Sequence, residues 1–351
     1  MSPPTAPEPA ALPWSSAMLA ALLATLTTPP TWLIGLAGFL ARGGIVLVVL
    51  PIVVLPTPAG VANAIGPALV LFYFGQVPLD FLVLVGVAVG LLLVWIVLGG
   101  LVGAWADVTL PAMLSAEDEL EPPFPPLPAR GRPVVRVFVV RLLAHVPLAL
   151  ALAWGAVRIV QATYAELTNP LEVVTPLVVR VASDVPDALL VVALAWLVGE
   201  TAGGLAYRYR LAGASLAASL RDGYLDLVRH AGTVLATTFV TLSVLLATIV
   251  PSLVAANVAW SRVRFLLRSG APPAETFLTV VVFVALWIGG LALIAGVVTW
   301  RSHAWSFEWL RHAVRRGAVA APSAGADIGT IGGAEQPRPG EWPSSGASGR
   351  L

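Results

Sequence analysis

Six stretches of this chain are apolar enough, and long enough, to cross a lipid bilayer, and that constrains its fold more than any other feature. A spanning helix needs about 20 mostly apolar residues to cross ~30 Å of hydrocarbon. With 58% of its residues hydrophobic and 11% charged, the chain carries more apolar surface than a water-soluble core could hide. Inside lipid, backbone N–H and C=O groups find no water, so each stretch must bond internally and is predicted as a helix. The apolar runs are continuous rather than alternating, which argues against a β-barrel.

The predicted spans are Trp32–Leu55, Phe81–Trp105, Leu142–Val160, Ala188–Tyr207, Thr233–Val254 and Phe277–Trp300. A charge at mid-bilayer costs about 3 kcal/mol on insertion scales. Arg42 is therefore expected near an interface, with Trp32–Ala41 lying partly along the surface and the first crossing beginning near Gly43. Upstream, Trp14–Leu26 reads as a short helix on the membrane surface, ended by Thr28-Pro29-Pro30. No Lys or Arg precedes Pro30, so a secretory signal peptide is not expected. The domain reading is an N-terminal segment (1–30), a six-helix membrane domain (31–316) and a disordered tail (317–351) rich in Gly, Ala, Ser and Pro.

The connections differ in character. Residues 56–79 carry no charge before Asp80 and contain an apolar run of their own, Ala68–Phe74. Residues 109–133 are acidic and then proline-rich, which predicts a solvated, partly polyproline linker. Within it, residues 125–130 fit a PxxPxR ligand pattern that such a linker produces by composition alone. Ala212–His230 reads as an interfacial amphipathic helix, with Leu216, Leu220, Leu227 and Val228 opposite Arg221, Asp222 and Arg229.

Most Arg residues fall on one side of this layout, including Arg136, Arg208, Arg210, Arg301 and Arg311. The positive-inside bias then places both termini in the cytoplasm. Arg262, Arg264 and Arg268 fall on the opposite side and run against that bias. The even spans share a pattern: Pro beside an acid at the start, then a Gly pair at Gly99-Gly100, Gly203-Gly204 and Gly289-Gly290. Three hairpins of one type would produce it. So would the ordinary preference for Pro and acids at helix starts.

The residues that could carry chemistry are few. Glu200 lies deep in the fourth span, and an intramembrane acid is a functional candidate by default. Its candidate partners are Arg42, Arg141, His145 and Arg158. Arg141 and His145 stand four apart and share a helix face. The polar site expected from sequence is thus Glu200, Arg42, Arg141 and His145. Cysteine is absent, and the four histidines (His145, His230, His303, His312) form no HxH or HxxxH pair, so neither a metal nor another cofactor is expected. There is no P-loop, GxSxG or HExxH, and no Lys for a Ser-x-x-Lys pair, so enzymatic activity is not expected.

A Gly-Glu-x-x-Gly-Gly-Leu-Ala segment followed by Arg (Gly199–Arg208) and an aromatic, Arg-rich end (Trp300–Arg316) complete the layout. In these features the chain resembles bacterial six-helix integral membrane proteins without an assigned activity. At greater distance it is similar to the membrane domain attached to some glycerophosphodiester phosphodiesterases. The resemblance implies a membrane fold, carries no catalytic residue and transfers no activity. The expectation is an all-α polytopic bundle of six spans plus interfacial helices. Its first functional reading is a non-enzymatic scaffold or assembly component, and its second a transporter or permease subunit using Glu200. Its expected partners are membrane lipids, other membrane proteins or further copies of itself, with no nucleic acid.

Overall fold

The computed structural model describes residues 13–49, 52, 71, 74–76, 79–117, 132–168 and 177–315. Those residues are all-α, and six of their helical segments are long and apolar enough to cross a membrane. The chain is a multi-pass membrane protein. Its helices are α1 (Trp14–Thr27), α2 (Pro30–Phe39), a π-helical turn (Leu40–Gly44), α3 (Ile45–Val49), α4 (Leu79–Glu117) and α5 (Arg132–Ala144). They continue as α6 (Val146–Thr168), α7 (Leu177–Asp184), α8 (Pro186–Leu211), α9 (Leu216–Arg229), α10 (Ala231–Ser269) and α11 (Pro273–Arg315).

Local chemistry explains many of the boundaries. Pro186 occupies the first turn of α8 with Asp187 beside it, and Arg208 and Arg210 close the last turn, complementing both ends of the dipole. The Ser215 hydroxyl caps α9 by accepting from Ala218 N at 3.2 Å. Gly270, in the left-handed region at φ 68°, ends α10.

Two sets of helices meet. α11 packs on α10, α1 and α2, while α8 packs on α5, α6 and α9. α4 joins the sets by packing on both α2 and α5. The long helices exceed the bilayer: α4, with 39 residues, extends about 58 Å. From Leu82 to Leu98 its large apolar side chains are exposed, as a lipid-facing surface requires. Burial concentrates instead at one end of the bundle. There Leu205, Val234, Trp305 and Trp309 form one cluster, Ala17, Ala21, Leu114 and Phe307 a second, and Val108, Val137, Val140 and Tyr207 a third.

Three sequence expectations change. Trp32–Ala41, expected partly along the surface, instead packs into the bundle through α2 and belongs to a segment, Pro30–Val49, long and apolar enough to span. A Cβ on Gly35 would strike the Thr299 hydroxyl, and one on Gly38 would lie 2.8 Å from Ala106 Cβ. The linker expected from residue 109 begins later, since α4 stays helical through Pro111 to Glu117. A helix-interior Pro costs about 3 kcal/mol. Burial of Val108, Leu110, Ala112 and Leu114 offsets that cost. Residues 118–131, including the PxxPxR pattern, lie outside the described residues, as do most of 50–78 and the tail from 316.

The third change concerns α9. Its buried stripe is Ser219, Gly223 and Asp226, whereas Val228 from the expected apolar face is 75% exposed. Gly223 is the reason: a Cβ there would come 2.7 Å from the Ala202 carbonyl oxygen and 2.9 Å from Ala206 Cβ. The two backbones touch, so α9 rests on α8.

One glycine of each pair marks a close approach between helices. A Cβ on Gly99 would overlap the Ala41 carbonyl, one on Gly203 would lie 3.2 Å from Ala144 Cβ, and one on Gly290 would lie 2.9 Å from Ser252 Cβ. Each even span thus leans on the segment that precedes it through a glycine.

Candidate functional site

Where the two helix sets meet, α2, α4, α5, α8 and α11 line a small, half-open cleft with a volume of about 60 Å³. Four arginines line it (Arg42, Arg141, Arg208, Arg301) together with two acids, Asp107 and Glu200. The lining therefore carries an excess of two positive charges.

Arg42 reaches the cleft from the π-helical turn. Gly43 sits there at φ 108°, a conformation that only glycine adopts cheaply. The extra residue of the turn brings Arg42 Nη2 to 2.5 Å from Asp107 Oδ2. The same nitrogen donates to the Gly103 carbonyl at 2.6 Å. Gly103 has no side chain to block the guanidinium, and a Cβ there would lie 2.5 Å from Arg42 Nε.

Arg141, at the end of α5, bridges the two acids. Its Nε donates to Asp107 Oδ2 at 3.0 Å and its Nη1 to Glu200 Oε2 at 3.2 Å. Burial works against the Arg141 charge, but the neighbouring Asp107 and Glu200 carboxylates outweigh it and hold the group above the ordinary arginine value. Glu200 is gripped from a third side by Arg301 Nη2 at 3.1 Å. His145 Nε2 stands 3.6 Å from Glu200 Oε2. His145 Nδ1 lies 2.8 Å from the Arg141 carbonyl, which can only accept, so Nδ1 carries the proton.

Arg208 forms the floor and is only 1% exposed. It donates to three oxygens: Gly204 O at 2.6 Å, Ser302 O at 2.6 Å and Ser306 Oγ at 3.1 Å. Its guanidinium lies 4.4 Å from the centre of the Tyr207 ring, and that of Arg141 lies 4.9 Å from it. Cation–π attraction and carbonyl dipoles thus stabilise Arg208, and both carboxylates remain with the other arginines.

The structure brings Glu200, Arg141 and His145 into direct contact and puts Arg42 in the same cleft, linked through Asp107. Arg158 goes elsewhere, 3.3 Å from Asp187 at the far end of α6. Sequence reasoning missed Asp107, Arg208, Arg301 and Tyr207. Asp107 lay just past the predicted end of its span, and both arginines counted as loop charges. The available signal was their helical register: Arg208 lies two turns from Glu200 on one helix, and Asp107 lies two turns from Gly99-Gly100. Chemically, the arrangement can hold an anion against guanidinium groups. It offers no nucleophile paired with a base.

Comparison of the chain with protein-family models, with curated proteins and with solved structures gave no match, so the geometry of the cleft is what speaks for its role.

Proposed function

We propose that this multi-pass membrane protein is a non-enzymatic component of the bacterial plasma membrane whose cleft receives the phosphate of an anionic lipid headgroup. The excess of two guanidinium charges over carboxylates within one open cleft carries the reading. Arg residues recognise phosphate through planar, bidentate donors. The cleft adjoins the end of the bundle where the sequence concentrates Arg, which the positive-inside bias assigns to the cytoplasmic leaflet. Arg42, with 38% of its side chain exposed, is the guanidinium most open to an incoming headgroup. A transport role is the second reading, favoured by Glu200 lining the cleft. Its two guanidinium partners, at 3.2 and 3.1 Å, make it a fixed counter-charge in this reading and not a proton carrier.

Native mass spectrometry of the full chain, released from vesicles of mixed phosphatidylglycerol and phosphatidylcholine, tests the proposal. Selective retention of phosphatidylglycerol is expected. Each of Arg42→Gln and Arg301→Gln should weaken it about fivefold, from ~1 kcal/mol per basic residue. Added inorganic phosphate separates the sources: displacement of lipid at low concentration would point to a free anion as the ligand. Equal retention of both lipids, unchanged in the two variants, would refute the reading.

A further inference from the structure

Beyond the cleft, three side chains from separate elements converge: Asp226 on α9, His230 at the α9–α10 junction, and His312 on α11. Ligand atoms of all three lie within 4.8 Å of one another. We propose that they form a divalent transition-metal site, independent of the anion cleft.

The donor set comes first. Two imidazoles and a carboxylate suit zinc, cobalt, nickel or iron, and are a poor match for magnesium or calcium, which prefer oxygen. Asp226 and His312 are fully buried, while His230 keeps 23% of its side chain exposed and provides the way in. His230 Nδ1 lies 3.3 Å from Asp226 Oδ1, and His312 Nδ1 lies 3.6 Å from Asp226 Oδ2. The Tyr209 hydroxyl donates to Asp226 Oδ2, orienting the carboxylate as outer-shell partners of metal ligands do. Glu308 stands behind, with Oε1 3.1 Å from His312 Nε2 and Oε2 held by Arg311 Nη1 at 2.6 Å.

Protein contacts alone leave the His312 ring poorly used. Both of its nitrogens are buried, and neither makes an aligned hydrogen bond despite the nearby carboxylate oxygens. Buried polar atoms of that kind call for a ligand, a water or an ion. The His230 and His312 rings are also stacked, with centroids 4.2 Å apart and planes 18° from parallel. A divalent cation there would stand beside the carboxylates of Asp226 and Glu308. Nδ1 of each ring already faces an oxygen of Asp226.

The test uses the full chain, purified in detergent with a tag that contains no histidine, stripped with chelator and titrated with cobalt(II). A stoichiometric visible d–d spectrum is expected. Zinc should displace the cobalt, and excess magnesium should not. His230→Gln, at the partly exposed ligand, should weaken cobalt binding about tenfold or more, and Tyr209→Phe about tenfold through the loosened carboxylate. Arg42→Gln should leave it unchanged. His312→Ala risks misfolding because the ring is wholly buried, and the wild-type spectrum together with His230→Gln decides without it. The absence of a stoichiometric cobalt spectrum in the folded wild-type chain overturns the proposal. So does a spectrum indifferent to His230→Gln.

Discussion

Arg141 and Glu200 meet across α5 and α8 with Nη1 3.2 Å from Oε2, and the same guanidinium holds Asp107 on α4. One side chain thus locks three helices together. Removing one partner of such a pair leaves the other unmatched, which costs about 3 kcal/mol. Arg141→Met should destabilise the chain by about that amount. The double variant Arg141→Met/Glu200→Gln should recover part of the loss, with a coupling of about 1–3 kcal/mol. Unfolding in mixed micelles measures both, and additive effects would deny the coupling. Because Arg141 is held above its ordinary value, its contribution is fully present below the unfolded-state value. It is lost only as pH rises through the higher folded value, so this group adds no pH dependence near neutrality.

Arg208 makes a different case. Lysine would keep the charge but could not serve Gly204 O, Ser302 O and Ser306 Oγ together, nor stack on Tyr207. Arg208→Lys should therefore lower stability by about 2 kcal/mol. A thermal melt in detergent checks this, and a variant that melts with the wild type would show that the three contacts do not matter.

Gly223→Ala tests whether α9 is a packed element. With the Ala202 carbonyl oxygen 2.7 Å from the new Cβ, α9 must lift from α8. Overpacking of this kind costs about 1–3 kcal/mol. The expected readouts are lower stability and faster proteolysis after Arg221 or Arg229. A helix resting on lipid would accept the alanine without change.

Topology gives an independent check. A reporter joined after Arg316 should be cytoplasmic, because six spans return the chain to its starting side. An external signal would mean either an odd number of crossings or an inverted orientation.

Much of the fold was legible because apolar length is a local property: each predicted span falls within or largely on an observed helix. Legibility failed where burial depends on partners distant in sequence. Nothing near Pro111 says that Leu110 and Leu114 will be covered by other helices, so the helix end was placed too early. The α9 face was read only in part for the same reason: Leu220 and Leu227 pack inward, but a glycine and an acid look exposed until Ala206, Tyr209 and His312 arrive. Glu200 was legible as a charge deep in an apolar run, and Arg141 with His145 as a shared face. Asp107 and Arg301 were not, because each sits where a span was expected to end. His230 and His312 stand 82 residues apart, so no local motif could pair them.

The central claim is that the cleft between Arg42, Arg141, Arg208 and Arg301 accepts a phosphate-bearing headgroup. A cryo-EM map of the full chain in nanodiscs of phosphatidylglycerol tests it most directly. The account predicts headgroup density inside the cleft, within hydrogen-bonding distance of Arg42 or Arg301, and its loss in Arg42→Gln/Arg301→Gln. Clear density for the side chains with lipid confined to the outer annulus would contradict it.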